Sequence, residues 1–250
     1  MADHDTNSLL VDVVPVLRET VQNRVHQQLR HLLMVGRFQP GQALKIHDLA
    51  EVFGTSAQPV RESIRQLVAE RALEALPNRS ARVPLMDDTR LEDLRRTRLA
   101  LEGLAAEISA ERATEEDIEA LARIVDEEVR ADEDLHVESS VNRNLEFHFR
   151  LYRISGSTVL LPIVEGLWLQ VGPNIRRAAE NFDARDGRGA ELHIRTVAEL
   201  RKGNVKGVRR AIEDDINRFF DLLVKPRPAD AAPAKPDPAI NGSYPSIRAL

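Results

Sequence analysis

Two histidines and two other polar residues stand at spacings that bring them together in a helical bundle. Asn144 and His148 are four residues apart, so a helix carries them on one face. His193 and Asp215 lie ten residues before and twelve residues after Gly203. If Gly203 is the bend of an antiparallel helical hairpin, both lie about 15–18 Å from the turn and face each other. Four such groups inside an apolar bundle predict a metal or ligand site.

A second group of residues, 49–67, is typical of a helix that enters the major groove of DNA. Two short amphipathic helices are predicted to join at Gly54, with Ala50 at their crossing and Val60 as the apolar anchor of the second helix. Side chains of this second helix can read base edges or bind phosphates. The polar side chains on the exposed faces of this helix are Ser56, Gln58, Arg61 and Arg65.

The elements around this helix pair predict a winged helix. A preceding helix is predicted over residues 16–35, where apolar residues recur at intervals of three and four. Two short alternating stretches, residues 73–76 and 81–83, predict a hairpin after the helix pair. Side chains of this wing are expected to reach phosphates or the minor groove. They are Asn78 and Arg79 at the tip, together with Arg82.

From about residue 88 onward the periodicity predicts helices alone, so the expected fold class is mainly α. A winged helix-turn-helix domain is followed by an all-α bundle, in which Gly172 and Pro173 predict a kink or break. The predicted helices of this bundle cover residues 88–112, 114 onward, 137–154, 158 onward, 189–202 and 204–224. The predicted domains are a disordered segment at 1–14, the DNA-binding domain at 15–84, a linker at 85–89, the helical domain at 90–224 and a disordered tail at 225–250.

The composition excludes several classes of protein. The 250 residues contain no cysteine, so a disulfide framework, a thiolate metal site and a cysteine nucleophile are excluded. The apolar runs are too short to span a membrane and residues 1–14 are too acidic for a signal peptide, so a cytoplasmic protein without a membrane partner is expected. The net charge is -5, yet residues 15–84 hold ten Lys or Arg against six Asp or Glu. This basic module on an acidic body favours local contact with phosphates.

Residues 15–84 resemble the GntR family of winged-helix repressors. The family's P-V-R-E and P-N-R-G-A-R-V motifs are matched by Pro59-Val60-Arg61-Glu62 and Pro77-Asn78-Arg79-Ser80-Ala81-Arg82-Val83. The Gly36-Arg37-Phe38-Gln39-Pro40-Gly41-Gln42-Ala43-Leu44 stretch matches G-x-L-x-P-G-x-x-L in outline. The resemblance implies that this region binds double-stranded DNA and that Arg61 contacts it.

Two positions of the second helix depart from that family pattern. Ala57 stands where the family usually has arginine, the common bidentate partner of guanine. Without it, each half-site loses about 1–3 kcal/mol of discrimination. Gln58 can read adenine instead, so the operator is expected to differ from the family's usual one.

The helical region is similar to the FCD effector domain of the FadR subfamily of GntR proteins. Its R-x-x-L-E and D-x-x-F-H motifs correspond to Arg98-Leu99-Ala100-Leu101-Glu102 and Asn144-Leu145-Glu146-Phe147-His148. The resemblance implies that the family's metal ligands, one aspartate and three histidines, are matched by Asn144, His148, His193 and Asp215. Such nitrogen and oxygen ligands suit Zn²⁺, Ni²⁺ or Mn²⁺ without choosing among them. A metal-free polar pocket is the alternative.

The resemblance also implies that this domain takes a small organic acid. Arg98, held by Glu102 one turn later, is then expected to bind the carboxylate of the effector through its planar guanidinium. A plain surface ion pair between the two residues is the alternative.

A ligand-responsive transcriptional regulator, expected to be a repressor, is the function that combines these features. It is expected to bind a palindromic operator as a homodimer, because one monomer reads a half-site too short to be specific. The segment from Pro84 to Asp88 is the expected hinge between the domains. A metal-dependent hydrolase with an appended DNA-binding module and an architectural DNA binder without a ligand are the alternatives.

Overall fold

The computed structural model of the chain describes residues 20–77, 80–133, 137–181 and 189–224. The predicted disordered segments, residues 1–14 and 225–250, lie outside the described residues. In the described part of the chain, no helix has the length and apolar character needed to cross a membrane.

The N-terminal part is a winged helix-turn-helix, which confirms the predicted fold. Its helices are α1 (Val21–Met34), α2 (Ile46–Val52) and α3 (Ala57–Ala69), and its strands are β1 (Ala43–Leu44), β2 (Glu74–Ala75) and β3 (Ala81–Arg82). The strands form an antiparallel sheet in the order β1-β3-β2. Strand β1 was not predicted, because two residues are too few to show an alternating pattern.

The recognition helix α3 is held by its apolar face. Val60, Ile64 and Leu67 recur at helical spacing and are buried in the core. Gly54, in the turn before α3, has a φ of 59°, which a side chain would disfavour. The opposite face of α3 is therefore fixed in position and faces solvent.

The C-terminal part consists of six helices in the described residues, as predicted. They are α4 (Asp88–Arg112), α5 (Glu115–Glu133), α6 (Val137–Ile154), α7 (Leu160–Asn181), α8 (Glu191–Arg201) and α9 (Val205–Val224). Helix α4 packs along α9, α5 lies against α6, and α8 pairs with α9. Gly203, with a φ of 64°, forms the bend between α8 and α9, so the predicted helical hairpin is present.

Helix α7 continues through Pro173 to residue 181, so of the two predicted outcomes a break is wrong, and a kink stays a prediction. Proline removes one N–H group of the helix, but Val171 and Ile175 on either side of it are buried in the core. The packing of these two side chains stabilises the helix by more than the loss of one backbone hydrogen bond destabilises it.

The two parts of the chain are joined by contact between α1 and α7. Gly172 lies against the backbone of Leu33 and Met34 at the end of α1, where a Cβ atom would come within 2.6 Å of the Met34 Cα. Nearby, the Arg30 guanidinium binds Glu165 of α7, with 3.0 Å between Nη2 and Oε2. Helix α1 is therefore packed between the recognition helix and the helical domain.

Candidate functional site

The predicted DNA-contacting side chains of α3 share its solvent face. Gln58 and Arg65 are exposed and Arg61 is half-buried, while Ser56 is the exposed N-cap residue of the helix. Positions 58, 61 and 65 follow the spacing of one helix face. The Gln58 amide donates a hydrogen bond to the Glu62 carboxylate, with 2.7 Å between Nε2 and Oε1. Gln58 must leave this partner before it can read a base.

The wing places one of its predicted residues, Arg82, in a surface ion pair. Its Nε donates to Oε2 of Glu74 on the adjacent strand at 2.8 Å. Both side chains are more than two-fifths exposed, so the pair contributes about 0–1 kcal/mol and a phosphate can replace it at little cost. The other predicted wing residues, Asn78 and Arg79, lie outside the described residues.

Three of the four predicted metal ligands meet inside the helical domain. His148 of α6, His193 of α8 and Asp215 of α9 are all buried. The His148 Nε2 lies 3.1 Å from Asp215 Oδ2 and 3.2 Å from His193 Nε2, and the third distance, His193 Nε2 to Asp215 Oδ2, is 3.8 Å. The prediction that His193 and Asp215 face each other across the α8–α9 hairpin is confirmed.

These three atoms fit one divalent ion. Ligand atoms about 2.0–2.2 Å from a common centre lie about 3.0–3.6 Å from one another. Two of the observed distances fall in that range and the third is slightly longer. Two imidazole nitrogens and one carboxylate oxygen are also the donor set that Zn²⁺ and Ni²⁺ accept.

The fourth predicted ligand, Asn144, lies one turn before His148 on α6 and is half-buried. Its side chain therefore starts on the side of the helix that faces the cluster. Its role as a ligand stays a prediction.

Burial and neighbouring charges shift the protonation of the three groups in different directions. Burial disfavours the imidazolium of His148 and lowers its pKa. Burial acts the same way on His193, but the carboxylates of Glu128 and Asp215 outweigh it and raise the pKa of His193 to about 10. For Asp215, burial favours the neutral acid, yet contacts with the two imidazoles hold its pKa well below the usual range. The cluster thus contains a neutral imidazole beside a charged pair.

Arg98 and Glu102 form a second buried group beside the cluster, not a surface pair. The side chain of Arg98 is 3% exposed and that of Glu102 is 0% exposed. Arg98 Nε lies 2.5 Å from Glu102 Oε1, and its guanidinium carbon lies 4.7 Å from the ring centre of Trp168. Glu102 Oε2 also accepts hydrogen bonds from the indole of Trp168 at 3.0 Å and from the hydroxyl of Tyr152 at 2.7 Å. The surface-pair alternative is therefore wrong.

Comparison with known proteins agrees with this architecture. The family described as "Bacterial regulatory proteins, gntR family" matches residues 21–83, and the FCD domain family matches residues 93–218. The chain belongs to the GntR family. Within it, the FCD domain marks the chain as a member of the FadR-like subfamily.

Individual relatives of this GntR protein are transcriptional regulators and not enzymes. The HTH-type transcriptional regulator McbR of Escherichia coli K12 is 29% identical over 201 residues, which are 80% of this chain and 91% of the relative. The HTH-type transcriptional repressor GlaR of the same strain is 28% identical over 148 residues, 57% of this chain and 67% of the relative. The chain is thus a DNA-binding transcriptional regulator, and the hydrolase alternative has no support among these relatives.

Solved structures show the same fold. The structure of E. coli McbR/YncC gives a TM-score of 0.78 at 27% identity and covers 82% of this chain and 98% of that one. A GntR-type regulator from Rhodococcus sp. RHA1 gives a TM-score of 0.65 at 18% identity, covering 81% of this chain and 97% of that one.

Some residues around the cluster of His148, His193 and Asp215 in this GntR protein were not predicted as site residues. Glu128 of α5 is buried and lies 2.6 Å from His193 Nδ1, while Tyr152 of α6 lies 2.9 Å from His148 Nδ1. A signal for Glu128 is present in the sequence, since it follows Leu121 and Val125 on the buried face of α5. A carboxylate on an apolar face marks a residue with a buried partner.

Proposed function

We propose that this GntR regulator is a homodimeric repressor whose affinity for a palindromic operator is controlled by a small organic acid. The acid binds in the FCD domain at a divalent metal held by His148, His193 and Asp215, with Asn144 as a further ligand. Arg98 and Glu102 form a wall of the same ligand site. The protein acts in the cytoplasm.

The observation that carries this proposal is the convergence of two buried imidazole nitrogens and one carboxylate oxygen from three different helices. Without a metal, the imidazolium of His193 balances the charge of the Asp215 carboxylate, and a metal that binds here must replace that proton with another positive charge. A divalent ion supplies that charge, and it also supplies the positive centre that a carboxylate ligand needs. Side chains that served packing alone would be apolar at these positions.

DNA recognition in this proposal uses the solvent face of α3 and the wing. Arg61 and Arg65 contact phosphates or base edges, and Gln58 reads a base after leaving Glu62. Arg82 exchanges Glu74 for a phosphate. Two copies are needed because one α3 helix reads a half-site of only a few base pairs.

The effector acts by shifting the relative placement of the two DNA-binding domains. An acid that binds one placement more tightly than the other changes operator affinity by the difference in binding free energy. The segment from Pro84 to Asp88 and the contact of α1 with α7 are the connections that change.

Metal analysis followed by a ligand screen tests the effector site. The purified full chain is expected to bind about one Zn²⁺ or Ni²⁺ per monomer, and small carboxylates are expected to raise the melting temperature of the metal-loaded protein. His148→Ala should lose both the metal and the response to carboxylates. If wild-type protein binds neither ion and His148→Ala responds to carboxylates as wild type does, the metal proposal is wrong. If no acid changes melting temperature or DNA affinity, the protein is a DNA binder without this class of effector.

Selection of bound duplexes from a random DNA library tests the DNA interface. The selected sites are expected to be palindromes, and Arg61→Ala should weaken binding to them. If Arg61 contacts a phosphate, its loss should also make the dependence of DNA affinity on salt concentration shallower, by about one unit of slope per lost charge. Arg210→Ala, which removes a charge from α9, is the matched control. Recovery of half-sites without a palindrome would contradict the homodimer.

A further inference from the structure

Each histidine of the metal cluster has a partner on its other ring nitrogen, Nδ1, and these partners decide where the Nε2 atoms of the rings point. We infer that Tyr152 and Glu128 are positioning residues that turn the Nε2 atoms of His148 and His193 toward one point beside Asp215. This inference rests on the proposed metal site, because it assigns to both residues the orientation of the metal's ligands.

The groups around Glu102 determine which neighbour receives the proton of the Tyr152 hydroxyl. Arg98 and the Trp168 indole are donors only, and both donate to the Glu102 carboxylate. The Tyr152 hydroxyl has a single proton, and its oxygen lies 2.7 Å from Glu102 Oε2 and 2.9 Å from His148 Nδ1. The shorter contact, to a charged acceptor, takes the proton. The hydroxyl oxygen then accepts from His148, so Nδ1 of that ring carries its hydrogen.

The opposite tautomer of His148 leaves two acceptors in contact. If Nδ1 accepted the Tyr152 proton, the hydroxyl oxygen would face the Glu102 carboxylate at 2.7 Å with no hydrogen between them. Two buried acceptors with no proton between them repel each other, so this tautomer is disfavoured. With Nδ1 protonated instead, the Nε2 lone pair of His148 faces Asp215 Oδ2 at 3.1 Å and His193 Nε2 at 3.2 Å. A proton on His193 Nε2, or a metal ion in its place, offsets the contact between these two acceptors.

Glu128 has the same effect on His193 from the other side of the cluster. Its Oε2 lies 2.6 Å from His193 Nδ1, so Nδ1 donates to the carboxylate and Nε2 is turned toward His148. Asp215 is oriented as well, because Arg218 Nη2 donates to its Oδ1 at 2.7 Å and leaves Oδ2 to the cluster. Such outer partners orient metal ligands and raise their basicity.

Nitrogen NMR of the metal-free full chain tests the tautomer of His148 directly. In wild-type protein, His148 is expected to show a protonated Nδ1 and an unprotonated Nε2, with its signals assigned by their loss in His148→Gln. Tyr152→Phe removes the acceptor of Nδ1–H and should shift His148 toward the tautomer that is protonated at Nε2. A wild-type spectrum with the proton on Nε2 would overturn the inference.

Affinity for Zn²⁺, measured by competition with a chelator, tests the effect on the metal. Tyr152→Phe and Glu128→Ala are each expected to weaken Zn²⁺ binding about 10- to 100-fold. Glu128→Gln should restore most of the affinity, because its amide oxygen still accepts from Nδ1–H. Ser109→Ala is the control, since it removes a buried hydroxyl that binds the backbone of α6 at Leu151 but touches neither histidine. Its Zn²⁺ affinity should equal that of wild type.

The two measurements separate this inference from the proposed function. If wild-type protein binds no Zn²⁺ but His148 has the expected tautomer, the metal site fails and the positioning of the ring stands. If wild-type protein binds Zn²⁺ and Tyr152→Phe keeps both the tautomer and the affinity, the metal site stands and the positioning role is lost. Circular dichroism confirms that each variant is folded before it is compared.

Discussion

The contact of Gly172 with α1 gives a substitution whose result can be worked out in advance. A Cβ atom at this position would approach the Leu33 carbonyl oxygen and would lie 2.6 Å from Met34 Cα and 2.9 Å from Leu33 C. These are backbone atoms at the end of a helix, and they cannot rotate away as a side chain can. Gly172→Ala must therefore push α1 away from α7. Gly166, in the same helix, provides the matched control, because a methyl group added there would meet no neighbouring element within 4 Å.

Two contributions determine how much each substitution changes the free energy of unfolding. Alanine in place of glycine inside a helix stabilises by about 0.8–1 kcal/mol, and both variants share this gain. Overpacking costs about 1–3 kcal/mol, and contact with rigid backbone places Gly172→Ala at the upper end. Pro173 adds to this cost, since proline disfavours a helical conformation with a Cβ on the preceding residue. We expect Gly166→Ala to raise the free energy of unfolding by about 1 kcal/mol and Gly172→Ala to lower it by about 2 kcal/mol.

Urea unfolding of the full chain measures this difference. The single tryptophan, Trp168, lies in α7 and is 1% exposed, so its fluorescence reports on the helix that carries both substitutions. Circular dichroism at the same urea concentrations reports on all helices. If the free energies of unfolding of the two variants agree within about 0.5 kcal/mol, α1 does not approach Gly172 as closely as described.

Three further predictions concern stability. Thr114→Ala should lower the free energy of unfolding in urea by about 1 kcal/mol, because Thr114 and Asp117 exchange the hydrogen bonds of a capping box at the start of α5; an unchanged midpoint would contradict this. Leu169→Ala, at 0% exposure, should cost about 2–5 kcal/mol, whereas Leu104→Ala, at 41% exposure, should stay within about 0.5 kcal/mol of wild type. Burial lowers the pKa of His26 below the ordinary 6.5, so the unfolded chain binds a proton that the folded one does not, and stability should fall as the pH drops below 6.5. Unfolding at about pH 7.5 and pH 5 should show a weaker fall for His26→Gln than for wild type, by at most about 1.4 kcal/mol per pH unit.

Much of the fold could be predicted from the sequence because its helices are long and amphipathic. The start of α4 at Asp88, the capping box of α5 and the bend at Gly203 all carry local signals that the structure reproduces. Strand β1 carries no such signal, since its two residues are held by pairing with β3. The continuity of α7 through Pro173 also depends on packing that no local pattern shows.

The cluster of His148, His193 and Asp215 could be predicted from the sequence where a single helical hairpin determines its geometry. Counting outward from Gly203 places His193 beside Asp215, because both helices rise by the same amount per residue. The partners of the two histidines come from elsewhere: Glu128 lies on α5, and its approach to His193 depends on how α5 packs against α8. For Arg98, the spacing predicted its partner but not its burial, because several helices together enclose it.

Helix α7 connects the proposed effector site to α1, which packs on the recognition helix, through one short segment. The Trp168 indole donates a hydrogen bond to Glu102, and its ring centre lies 5.0 Å from that of His148. One turn later, Gly172 is the residue of α7 against which the end of α1 packs. A helix is stiff over a single turn, so a ligand that displaces Trp168 also displaces Gly172 and the end of α1 that packs against it. Because α1 also packs on α3, the displacement reaches the recognition helix. Coupling between two binding sites is reciprocal in free energy. A substitution that disturbs the contact between α7 and α1, such as Gly172→Ala, must then change the affinity for the effector as well as the affinity for DNA. A change in DNA affinity alone would mean that the two sites are coupled through other contacts.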